Sequence, residues 1–186
     1  MELNIVSYFA LTEVFSRAQQ RGWIGHQDIA DYLDHSLGFA HAARNQPETA
    51  IDLGSGGGIP ALVLIALWPQ SSWTLVEASL ARAAFLELQC AQLGYGERVE
   101  VCHRDAFSLK NEKQFAEQAD LVTVRSFGPV QSVIAAAAPL LRQGGELVVS
   151  AAPDASPWPE SLLVSYGMSV DDIVLTRPRF HRVRKL

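Results

Sequence analysis

From residue 50 onward the chain alternates short β-branched runs with longer stretches whose apolar residues recur at helical spacing. That alternation is the signal of a parallel α/β sheet. The runs predict strands at about 50–54, 72–77, 98–103, 119–125 and 145–151, and the segments between them predict helices over roughly 58–68, 79–94, 111–117 and 129–142. In the helix over 79–94, Leu80, Ala84, Leu88 and Ala91 recur at helical spacing and Ser79 stands as N-cap. Gly94 and Gly96 end it, and Gly144-Gly145 are expected to end the next long helix. Beyond a proline-rich loop from Pro153 to Pro159, a short helix, a strand near 169–175 and a final strand near 179–184 are expected.

Residues 1–49 read as helices broken around Gly22-Trp23-Ile24-Gly25, capping one end of the sheet. The expectation is one domain over 1–186, with a helical cap (1–49) and an α/β core (50–186). With 186 residues, 48% apolar and 19% charged, the composition is that of an ordinary soluble domain with a sizeable core. The longest apolar stretch, Ile59 to Trp68, is interrupted by Pro60 and is too short to span a bilayer. The opening Met1-Glu2-Leu3-Asn4 lacks the positive region of a secretory signal, so a cytoplasmic location is expected. Cys90 and Cys102 have neither C-x-x-C spacing nor paired histidines, so both are expected reduced, one on a helix and one on a buried strand, with no metal.

The net charge of −5 argues against a protein that coats nucleic acid nonspecifically. The charge is unevenly spread, however. Residues 177–186 hold five of the fifteen Lys and Arg and no acid. This strip is either a footprint for phosphate or a terminal edge strand whose charges discourage sheet association; edge strands commonly carry basic residues, which favours the second.

Candidate chemistry concentrates in Ala50-Ile51-Asp52-Leu53-Gly54-Ser55-Gly56-Gly57-Gly58-Ile59-Pro60. A strand ends in an acid, and glycines at 54, 56 and 58 form a turn that admits a ligand against backbone N–H groups. The dinucleotide fingerprint G-x-G-x-x-G fails, because Gly54-x-Gly56-x-x leads to Ile59. In open α/β sheets ligands bind outside the carboxyl ends of the strands. Asp52 there would orient the loop or accept from a ligand ammonium, and Glu77 at the next strand end would accept both ribose hydroxyls. Asp105, followed by Ala106, would accept from an adenine amino group. The fourth end, Val124-Arg125-Ser126-Phe127, is the seat expected for an acceptor. It has no N/D-P-P-Y motif, no Pro-Cys nucleophile and no histidine as an obvious general base, which suits an acceptor that is nucleophilic without losing a proton, such as guanine N7.

The D-x-G-x-G-x-G turn resembles the first motif of class I S-adenosylmethionine (SAM)-dependent methyltransferases. With Leu75-Val76-Glu77, Arg82-Ala83-Ala84-Phe85-Leu86, Val124-Arg125-Ser126-Phe127, Pro139 to Gly145 and Leu33-Asp34-His35-Ser36-Leu37, the chain over about 30–151 is similar to the bacterial 16S ribosomal RNA guanine-N7 methyltransferases, the RsmG or GidB family. The resemblance implies a Rossmann-like, mostly parallel seven-stranded sheet with an antiparallel C-terminal strand and an N-terminal helical cap. It implies SAM as cofactor, held by Asp52, Gly54, Ser55, Gly56, Gly58, Ile59, Glu77, Ala78, Asp105, Ala106 and Arg125. It makes Arg125 the catalytic residue, and Arg125, Ser126 and Phe127 the contacts to acceptor, with Phe127 stacking on a base. The implied partner is 16S rRNA or the small ribosomal subunit.

The chain departs from the family in three places. Arg21-Gly22-Trp23-Ile24-Gly25 replaces a Trp-Asn…Asn-Leu-Thr stretch, Ser150-Ala151-Ala152-Pro153 replaces a Lys-Gly after the fifth strand, and the C-terminal segment is short. A SAM-dependent methyltransferase of a small molecule, or a non-catalytic SAM-binding domain, therefore stand as alternatives.

Overall fold

The computed structural model describes residues 3–151, 157–174 and 179–186. Helices α1 (Ile5–Gln20) and α2 (Ile29–Ala42) precede a sheet of seven strands. These are β1 (Thr49–Leu53), β2 (Ser72–Glu77), β3 (Val99–His103), β4 (Ala119–Val124), β5 (Leu141–Ala151), β6 (Met168–Val174) and β7 (Arg179–Lys185). Between them run α3 (Ala61–Leu67), α4 (Leu80–Gln92), a 3-10 turn (Ala106–Asn111), α5 (Val130–Ala137) and α6 (Glu160–Ser165). The strand order is β3-β2-β1-β4-β5-β7-β6, parallel except for β7, which runs antiparallel to both β5 and β6. The order reverses between β1 and β4, so a crevice opens at their carboxyl ends.

Strand alternation divides the core between the two faces of the sheet. Ala50, Leu75, Leu121 and Val148 face a layer built from α1, α2, α3 and α4. Ile51, Leu53, Val76, Val122, Val124 and Leu147 face α5, α6 and the 3-10 turn. Both faces are covered, which is why the central strands read as nearly continuous apolar runs. The helical cap breaks where expected, between Gln20 and Ile29, and packs as part of the first layer. Cys90 on α4 and Cys102 on β3 are both buried and reduced. Among the described residues no helix is long and apolar enough to cross a membrane.

Four local expectations are corrected. The helix expected over 111–117 is replaced by the 3-10 turn at Ala106–Asn111, begun by Asp105, whose Oδ1 accepts the Phe107 N–H at 2.8 Å. Only Ala106, Leu109 and Phe115 are buried along this connection, a spacing with no helical stripe. The helix expected over 129–142 stops at Ala137, two residues before Pro139; Ala138 still has helical dihedrals, but Pro139 has no N–H to continue the ladder. Gly144-Gly145 consequently lie inside β5, where pairing with β4 jumps from Ala119–Leu141 to Leu121–Glu146. A Cβ on Gly145 would come within 2.7 Å of the Ala119 carbonyl oxygen, so the bulge needs the bare backbone. Ser79 does occupy the N-cap of α4, but its side chain caps nothing; its N–H donates to Glu77 Oε1 at 2.8 Å.

The fourth correction concerns the basic C-terminal strip. β7 is not an edge strand but lies between β5 and β6. Of its four basic residues only Arg182 is buried, and Arg177 of the strip lies outside the described residues. Arg182 is buried and donates to the Ala42 carbonyl at the end of α2, at 2.8 Å. Lys185 donates to the Tyr166 carbonyl at 3.1 Å, and Arg184 to that of Gly144 at 3.4 Å. Arg182→Ala is therefore expected to cost about 1.5–3 kcal/mol of stability in urea unfolding, by stripping a charge-assisted bond from a buried carbonyl. A loss below about 0.5 kcal/mol would mean that the guanidinium contributes nothing there.

Candidate active site

The glycine turn joins β1 to α3 and is tied to β2. The N–H groups of Gly54 and Ser55 donate to the Val76 carbonyl at 2.9 and 3.0 Å. Gly54 has φ +72°, and a Cβ there would lie 3.1 Å from the Phe127 ring; Gly58 has φ +95°, and a Cβ would lie 2.5 Å from Leu62. Both positions thus need glycine for backbone and for space. The Ser55 hydroxyl donates to the Asp52 carbonyl at 3.1 Å.

Two carboxylates flank the turn. Glu77 is 5% exposed; its Oε2 accepts the Gly56 N–H at 2.9 Å, its Oε1 accepts that of Ser79, and Arg82 Nε lies 3.6 Å away. One side chain therefore fastens the glycine turn to the start of α4. Asp52 is 1% exposed, and its Oδ1 accepts from the Thr123 hydroxyl of β4 at 2.6 Å. Its Oδ2 is sealed from solvent with no partner among the described residues. Burial pushes the Asp52 carboxyl up to about 6, with a smaller push from the Glu77 charge, against the opposing pull of the Thr123 and Ser55 hydroxyls and the Arg125 charge.

A cavity of about 220 Å³ opens at these strand ends. Eight residues singled out from the sequence line it together: Gly54, Glu77, Ala78, Asp105, Ala106, Arg125, Ser126 and Phe127. Asp52, Ser55, Gly56 and Gly58 are not on its wall but form the floor and frame of the turn. Ile59, expected to meet the cofactor, is buried in the core layer and is not on the wall of this cavity. Phe127 was expected to stack on an acceptor base; its ring instead lies against Gly54 inside this cavity, 6.0 Å from the Phe107 ring.

A second, outer cavity of about 630 Å³ adjoins the first, and Arg125 and Ser126 line both. Its other walls come from α2 and its approach (Gln27, Asp31, Tyr32, Asp34, His35) and from Ser150 and Ala151 at the end of β5. The Arg125 guanidinium carbon sits 5.1 Å from the Tyr32 ring centroid, a cation–π contact that fixes the arginine between the two cavities. Ser126 holds φ +53°, a left-handed conformation that a serine adopts only under constraint from its surroundings. His35 Nε2 is buried without a partner among the described residues, and burial, then the charge of Arg125, lower its pKa to about 4. The imidazole is therefore neutral near pH 7.

Sequence reasoning did not assign the α2 residues to the site. The stretch Leu33 to Leu37 was visible as a family likeness, but nothing in it shows which strand end the helix would face. Two further clefts, of about 390 and 480 Å³, lie at the amino ends of the strands, away from the glycine turn.

Comparison with known proteins gives the same picture at two levels. Solved structures that share the fold include a methyltransferase from Geobacter sulfurreducens, with a TM-score of 0.68 at 14% identity over 95% of this chain and 88% of that one. Another is the mitomycin 7-O-methyltransferase MmcR, with a TM-score of 0.63 at 18% identity over 82% of this chain and 53% of that one. Among sequences, ribosomal RNA small subunit methyltransferase G of Nocardioides sp. is 33% identical over 175 residues, 84% of this chain and 68% of the relative. The protein of the same name from Thermobifida fusca is 37% identical over 131 residues, 69% of this chain and 53% of the relative. The chain thus spans between about half and two thirds of these relatives' lengths. The family model described as rRNA small subunit methyltransferase G matches residues 16–154, and the chain belongs to this family, GidB.

Proposed function

We propose that this chain is a SAM-dependent methyltransferase whose acceptor is guanine N7 in 16S ribosomal RNA of the small subunit. The observation that carries the reading is the meeting of two cavities at Arg125, one over the glycine turn and one walled by α2. The donor set around the inner cavity fits SAM. Asp52 lies beneath the turn rather than on the cavity wall, and the charge it places there favours an ammonium bound above it. Each Glu77 oxygen accepts one N–H and keeps a lone pair for a ribose hydroxyl. Asp105 uses Oδ1 on the Phe107 N–H and retains Oδ2 for an adenine amino group.

SAM, when bound, supplies a methyl group on a sulfonium, whose departure leaves neutral S-adenosylhomocysteine. The chain's own contribution is then positioning and exclusion of water. Arg125 donates to the acceptor, to guanine O6 or a phosphate, and its contact with Tyr32 keeps the guanidinium in place. No proton needs to leave guanine N7. That accords with His35, whose depressed pKa makes it a weak base at neutral pH. The names of the relatives support ribosomal RNA over a small molecule as acceptor, and a ribosomal acceptor implies work in the cytoplasm.

The test is isothermal titration with SAM, followed by tritiated methyl transfer to small subunits from a strain lacking this protein. Binding with label in the RNA is expected. Binding without label removes the ribosomal acceptor, and no binding removes the cofactor site.

A further inference from the structure

We propose that Asp31, on the α2 wall of the outer cavity, reads the N1–H and N2–H edge of the acceptor guanine and so sets the base specificity of the site. The inference rests on the methyltransferase reading above.

The outer cavity carries charge of both signs: Arg125 from the end of β4, and Asp31 and Asp34 from α2. Neither aspartate carboxylate has an ion-pair or hydrogen-bond partner among the described residues. Two unpaired carboxylates repel phosphate, so this wall suits the donor edge of a base and not the RNA backbone.

The two acids are not equivalent. At about 100° per residue, Asp31 lies about 40° around the helix from His35 and about 100° from Tyr32, whereas Asp34 lies about 160° from Tyr32. Tyr32 is buried beneath the Arg125 guanidinium. Asp31 is thus the carboxylate on the Arg125 side of α2, and Asp34 lies farther round toward solvent. The same side of the wall holds the buried Nε2 of His35, which has no partner among the described residues.

Among the four RNA bases only guanine places two adjacent N–H donors on its pairing edge, and a carboxylate accepts both. Adenine and cytosine would each set a ring-nitrogen acceptor against the carboxylate, and uracil offers one N–H between two carbonyls. With that edge held by Asp31, guanine O6 is available to Arg125 and N7 keeps its lone pair for the methyl group. A good bidentate contact of this kind discriminates by about 5- to 150-fold.

In the test, protein saturated with S-adenosylhomocysteine is titrated with guanosine, inosine and adenosine 5′-monophosphates by ligand-observed NMR. Inosine lacks the N2 amine. Wild type is expected to bind the guanosine nucleotide about 10-fold tighter than the other two. Asp31→Asn is expected to abolish that preference and Asp34→Asn to keep it, with S-adenosylhomocysteine affinity equal in all three proteins. In transfer to small subunits, Asp31→Asn should lower kcat/KM about 10- to 100-fold. The assignment of Asp31 is overturned by a wild type without guanosine preference, by a preference that survives Asp31→Asn, or by its loss in Asp34→Asn instead. If wild type fails to bind S-adenosylhomocysteine, the methyltransferase reading itself falls, and the assignment with it.

Discussion

Replacing Arg125 with alanine is expected to lower methyl transfer to small ribosomal subunits by about 100- to 1,000-fold, the usual effect of deleting one aimed donor. SAM affinity should change by less than about fivefold, because the proposed reading gives the cofactor's polar groups to Asp52, Glu77 and Asp105. The separation follows from position. Arg125 lines both cavities, yet its guanidinium leans on Tyr32 of α2, which belongs to the outer cavity alone. Arg125→Lys should recover less than a tenth of the lost rate, since a lysine keeps the charge but lacks the planar fork and the stack on Tyr32. Single-turnover rates and calorimetric SAM affinity, measured on the same preparations, decide the matter. Near-normal turnover in Arg125→Ala would remove the arginine from catalysis. A matching collapse of SAM affinity would instead make it a ligand of the cofactor's carboxylate.

The half of the proposed site that lies over the glycine turn was legible in the sequence because parallel sheets place strand ends in one crevice. Asp52, Glu77, Asp105 and Arg125 could each be found at the end of an apolar run, and the fold brings those ends together. The acceptor half was not legible in the same way. Asp31, Tyr32 and His35 lie in a helix that precedes the sheet, and only packing of α2 against α3, β5 and β7 turns one of its faces toward Arg125. The same limit applies to Phe127. Its place in the chain, two residues beyond Arg125, says nothing about which of two adjoining cavities its ring enters.

The misread elements share a physical cause as well. Propensity marks Gly144-Gly145 as a helix stop and Arg182, Arg184 and Lys185 as edge-strand guards. Both inferences treat a local signal as if its neighbours were solvent. Gly145 is bare because the Ala119 carbonyl of β4 lies where a Cβ would be, and Arg182 is basic because the last turn of α2 ends over it with an open carbonyl. Partners distant in the chain decide both.

A second large effect concerns pH. SAM affinity should fall by up to about tenfold for each unit below about pH 6, and Asp52→Asn should flatten that slope. In the folded protein the Asp52 carboxyl is raised from 3.8 to about 6, chiefly by burial. A raised carboxyl favours the folded state below the unfolded value and loses that favour as pH climbs through about 6. Above about pH 6 the Asp52 carboxyl therefore leaves folding about 3 kcal/mol less favourable than below pH 3.8, where it is neutral in both the folded and unfolded states. An ammonium bound above the turn offsets that cost through its charge, so the ionised form favours ammonium binding and the protonated form does not. The asparagine variant, neutral throughout, should keep or gain thermal stability at pH 7.5 while binding SAM at least tenfold more weakly there. Calorimetric Kd values between pH 5 and 7.5, with Tm for both proteins, give the answer. The same slope in wild type and Asp52→Asn would mean that Asp52 holds Thr123 and the turn but does not face the cofactor's charge.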